Sequence, residues 1–174
     1  APGLDSDSAV AVLMSLSAAF IGTPQQKSVV FAFTASDAPA ADGRSGPVHL
    51  LDDLRAGGRS IIGVLDLRVP RVPAPDPAAR PEGPALLSTT ATADDPWRFT
   101  VQETLARRLP SGFATEWLSA ATAPPELAAL PWLGAPAPAP SLVMALRPPR
   151  PGDESALLAW AQALEGLVQA LANR

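Results

Sequence analysis

Apolar positions recur along this chain in two rhythms. Residues 8–22, "SAVAVLMSLSAAFIG", carry Val10, Leu13, Met14 and Phe20 at helical spacing. The pattern predicts a helix with a broad buried face, stopped by Gly22 and Pro24. "KSVVFAFTA" (27–35) is apolar, β-branched and aromatic without polar alternation, which predicts a strand covered on both faces, as in a parallel sheet. "PVHLLDDLRAG" predicts a short helix ending at Gly57, and "RSIIGVLDLRVP" a second buried strand. "ALLSTTATA" predicts a third strand and "SLVMAL" a fourth. Between these two lies "DDPWRFTVQETLARRL", where an acid followed by Pro96 marks a helix start. In the closing "GDESALLAWAQALEGLVQALANR", Leu157, Ala161, Leu164, Val168 and Leu171 form one stripe of a long helix, with Asp153 or Ser155 at its cap and Trp160 at the edge of its packing. Strands alternating with helices predict an α/β layer architecture with a mainly parallel sheet.

Proline sharpens this outline. The 21 prolines gather in connectors at about 70–84 and 123–140, which read as stiff, extended loops. A length of 174 residues predicts a single domain over 1–174. Charge removes several classes of function. The net charge is −4, with no basic stripe, so nucleic acid is not an expected partner. With no cysteine, neither a disulfide nor a thiolate metal site can form. A single histidine, His49, is a strong constraint, because catalytic zinc sites draw on imidazole. No apolar run is long enough for a membrane span. The chain opens on Ala1 rather than Met, which predicts a processed or trimmed product.

The order of these pieces resembles the M28 family of zinc aminopeptidases. "APGLDSDSAVAV" resembles that family's Gly-Ala-Asp-Asp stretch leading into a helix. "KSVVFAFTASDA" is similar to its second motif, a strand ending in Glu-Glu, and "SIIGVLDLRV" to its third, a strand ending in Asn-Leu-Asp-Met. The resemblance implies a three-layer αβα, zinc-exopeptidase-like fold with its site at the C-terminal ends of the strands. Such a site needs a bridging acid, further carboxylate and imidazole ligands, and a carboxylate that takes a proton from the attacking water.

Carried over by position, the resemblance puts Asp5 on the metal-bridging aspartate and Asp37 on the general base, shortened by one methylene. Ala38 falls on a metal ligand and cannot bind metal. Arg68 falls on the ligand aspartate of the third motif, where a guanidinium would repel zinc. The family has one histidine upstream of the first motif, where this chain begins, and another late in the chain, where nothing after His49 is a histidine. Asp5 and Asp37 are thus vestigial positions, with ligands lost at Ala38 and Arg68. The family's strands upstream of the first motif are also absent from this chain. Another chain, a cut precursor or a reduced sheet could account for that, and a bare sheet edge would invite a partner strand.

Each of these residues also has a plainer reading. Asp5, Ser6, Asp7 and Ser8 cap a helix start. Asp37 is a turn acid. Asp66, alternating with Leu65 and Leu67, pairs with Arg68 or another arginine, and His49 is a partly buried surface residue. "GRSG" and "AGGRS" are turns. Trp132, on the stiff "PWLGAPAPAP" loop, is a candidate contact surface or an ordinary loop anchor.

The expected function is a catalytically inactive M28-peptidase-like domain, acting as a scaffold or protein-recognition module in a larger assembly, with no cofactor. The alternative is a zinc-dependent aminopeptidase completed by another chain or a missing N-terminal segment. A plain structural subunit is a third class. The resemblance tilts localisation toward a secreted, periplasmic or lumenal compartment.

Overall fold

The computed structural model describes residues 6–33, 46–68, 85–89, 91–111, 113–118, 140–146 and 154–174. Its first helix, α1, spans Ser6–Phe20. Val12 and Leu16, one turn apart, are its buried pair, with Ala9 and Leu13 packed partly against the same core. The expected face is therefore rotated: Val10 is 38% and Met14 59% exposed. The reason lies in the composition. A helix apolar on nearly every side contains more than one stripe at helical spacing, so periodicity alone does not choose which stripe faces the core. Gly22, at φ +72°, ends the helix in the left-handed region, as expected of the glycine there.

The strand expected over "KSVVFAFTA" does not form in its described part, 27–33. The backbone bonds elsewhere. Lys27 N–H donates to the Ala172 carbonyl at 3.1 Å, and Gln26 N–H to Asn173 Oδ1 at 3.2 Å. The segment crosses the end of the last helix, with Phe31 against Phe20 at a ring separation of 5.7 Å. Val30 and Phe33 stay exposed, so the run is not covered on both faces.

Helix α2 spans Gly46–Ala56 and buries Pro47 and Leu51. It closes in a Schellman motif: Arg59 N–H reaches the Leu54 carbonyl and Gly58 N–H the Arg55 carbonyl, with Gly58 at φ +75°. The turn expected at "AGGRS" is this one.

The sheet contains β1 (Val64–Arg68), β2 (Ala85–Thr89), β3 (Thr115–Leu118) and β4 (Ser141–Ala145), in the order β1-β4-β2-β3. The β1–β4 and β2–β3 pairs are parallel, and β2–β4 is antiparallel. The sheet is thus mainly parallel, as the alternation of elements predicts. β3 has no counterpart in the sequence reading. It is short, and Thr115 and Glu116 are exposed, so it lacks the apolar run that marks the other strands.

Helix α3 spans Pro96–Arg108. Asp95 caps it, accepting from Trp97 N–H at 2.8 Å, with Pro96 in the first turn as predicted. Helix α4 spans Glu154–Ala172 and packs against both α1 and α3. Its buried face runs through Ala156, Trp160, Ala163, Leu164 and Leu167. The predicted stripe shares Ala161 and Leu164 with the buried set but leaves Leu157, Val168 and Leu171 only partly covered. Trp160 is not at the edge. At 1% exposure it lies in the core, edge-on to Phe113, and its indole N–H has no hydrogen-bond partner among the described residues.

Strand alternation divides the sheet into two faces. Leu65 and Leu67 of β1, Leu142 and Met144 of β4, and Leu87 of β2 belong to the core shared with α1, α3 and α4. On the other face, register aligns Asp66 with Val143 and Arg68 with Ala145. The described residues form a mixed α/β structure of four helices and one small, mainly parallel sheet. Among them no helix is long and apolar enough to cross a membrane.

Candidate functional site

Of the positions that the resemblance gives to the metal site, Arg68 lies among the described residues. Asp5, Asp37, Ala38 and Trp132 lie outside the described residues. Arg68 ends β1, two residues after Asp66, so strand geometry puts both side chains on one face. Arg68 Nη2 donates to Asp66 Oδ2 at 3.1 Å and Arg68 Nε to the same oxygen at 3.3 Å. The arginine side chain is 7% exposed and the aspartate 19%. The predicted Asp66–Arg68 ion pair is therefore present, and it is largely buried beside Val143 and Ala145.

This geometry decides what the end of β1 can do chemically. Taking two charges out of water costs several kcal/mol per ion, and mutual attraction offsets this only when the pair stays together. The pair is thus a locked unit. A guanidinium carries no lone pair for a metal, and the carboxylate oxygen it holds is already engaged. Arg68 and Asp66 together do not fit a divalent cation. Among the described residues no cluster of three His, Asp or Glu side chains could hold a metal ion. His49 is half-buried on α2, in keeping with the surface reading.

A second feature has no forerunner in the sequence reading. Between α3 and β3 lies an open groove of about 420 Å³. Leu105, Ala106 and Leu109 of α3 form one wall; Leu87, Thr115 and Trp117 of the sheet form the other. Pro110, Ser111 and Phe113 close one end, and Gln102 adds an amide to the rim. One helical turn before Gln102, Arg98 lays its guanidinium over the Trp117 ring, 4.7 Å from the centroid. Among the described residues, no acidic or basic side chain lines the groove itself. Arg98 and Trp117 are far apart in sequence and belong to elements of different type, so no local spacing announces their contact. The one available signal was Trp117 in "TEWL", an aromatic in a short run between two polar stretches.

Comparison with protein-family models, with curated proteins and with solved structures finds no match for this chain.

Proposed function

We propose that this chain is a non-catalytic domain resembling the M28 zinc aminopeptidases, which works as a scaffold or protein-recognition module in a larger assembly. The observation that carries the reading is Arg68. It occupies the position that the resemblance gives to a ligand aspartate, it is 6% exposed, and it is locked to Asp66. A buried ion pair at that place is the opposite of an open ligand set, which needs free carboxylates and an unfilled coordination position.

The proposed architecture is a three-layer αβα arrangement of the zinc-exopeptidase kind. Burial on both sides of β4 supports it. Leu142 and Met144 face the helices, while Val143 and Ala145, on the opposite face, are 1% and 2% exposed. A sheet with both faces covered is what a parallel α/β arrangement requires. The proposed partner is a protein, docking by strand addition at an end of the sheet. In the described strand order, β1 and β3 are the terminal strands.

Calorimetric titration of the full chain with Zn²⁺ tests the reading. The expected result is no stoichiometric uptake. Tight binding of one or two ions would refute it and restore the aminopeptidase alternative.

A further inference from the structure

We propose that the α3–β3 groove is a binding site for a small amphipathic carboxylate: an unbranched apolar body with one anionic end, of the medium-chain fatty-acid class. Volume and lining give the body. At about 420 Å³ the groove falls within the range of small-molecule sites. Among the described residues, the apolar side chains of Leu87, Leu105, Leu109 and Phe113 share the lining with hydroxyl and amide groups at Ser111, Thr115 and Gln102. Apolar walls with a few polar groups are the composition of ligand pockets.

Arg98 supplies the charge. On α3, Arg98, Gln102, Leu105 and Leu109 fall at helical spacing on one stripe, and the last three line the groove. Arg98 therefore stands at the end opposite Pro110, over the ring of Trp117, which is itself a wall of the groove. Its Nε is buried, and among the described residues it has neither a hydrogen-bond partner nor a carboxylate within ion-pair distance. The neighbouring cation on α3, Arg107, is by contrast engaged by Glu103. A guanidinium presents a planar fork suited to a carboxylate. A guanidinium packed on an aromatic face, with no carboxylate partner among the described residues and beside a partly apolar groove, is complementary to a ligand that brings its own carboxylate. Thr115 and Ser111 then keep their hydroxyls toward water along the rim. This inference does not rest on the peptidase-like reading.

The test uses the full chain, titrated with decanoate below its micelle concentration and, in parallel, with 1-decanol. Tryptophan fluorescence and calorimetry follow binding. Saturable 1:1 decanoate binding is expected, about tenfold or more tighter than that of decanol, since a hydrogen bond to a charged group is worth that much. Arg98→Met keeps the packing on Trp117 and is expected to abolish the preference for decanoate. Ala106→Trp fills the groove from an exposed helix position and is expected to abolish binding of both ligands, with the far-ultraviolet circular dichroism unchanged. Equal affinity for decanoate and decanol, an Arg98→Met chain that keeps the preference, decanoate binding undiminished in Ala106→Trp, or no saturable binding to the unaltered chain would each overturn the proposal.

Discussion

β4 and β1 are neighbours in the same sheet, each five residues long and paired residue for residue, yet they treat their second face in opposite ways. β4 is buried at every position and apolar after Ser141. β1 turns Leu65 and Leu67 toward the helices but sets Asp66 and Arg68 beside Val143 and Ala145. The central strand is held by packing on both sides. The outer one combines packing on one face with an ion pair on the other. The two therefore differ in what a substitution breaks: in β4 it opens a void, and in β1 it breaks an ion pair.

Removing side-chain volume from β4 gives the largest expected effect. Leu142 is 0% exposed, so Leu142→Ala is expected to cost about 2–5 kcal/mol, read as a shift in the urea midpoint. A loss below about 1 kcal/mol would deny β4 its central place. Next comes the charge. Arg68→Met leaves Asp66 without the guanidinium that holds it, at an expected cost of about 2–3 kcal/mol. That is the lower end for a broken pair, because the Asp66 side chain keeps 19% exposure. The double variant Asp66→Leu/Arg68→Met is expected to recover most of this loss, since replacing both charges with apolar groups is often neutral. Additive losses in the cycle would mean that the two residues act separately. The smallest effect sharpens the entry to β1. A Cβ on Gly63 would lie 2.7 Å from Trp97 Nε1, in a rigid indole that is 8% exposed. Gly63→Ala is expected to cost about 1–2 kcal/mol by overpacking, measured by thermal unfolding.

Much of this frame is legible in the sequence, and the reasons are local. Asp95 and Pro96 announce α3 because a short acid and a fixed φ suit a helix start and little else. "SLVMAL" announces a strand, and β4 is one. Asp66 and Arg68 announce their pairing because strand residues two apart share a face. What failed depends on distant partners. "KSVVFAF" has the composition of a strand, but its flank bonds to Ala172 and Asn173 at the far end of the chain. Helix phase in α1 and α4 is set by which neighbour each meets, and an alanine-rich helix offers several usable stripes. β3 and the Arg98–Trp117 contact arise only when α3 lies along the sheet. Of the candidate metal positions, Arg68 alone was open to comparison, and it carries an ion pair that its own strand spacing foretells.

The lone indole N–H of Trp160 has a practical consequence. Buried in the apolar core and without a hydrogen-bond partner among the described residues, that proton exchanges with deuterated solvent when the packing around α4 opens. A single nuclear magnetic resonance line would then time the opening of the whole interior, with no label added to the chain.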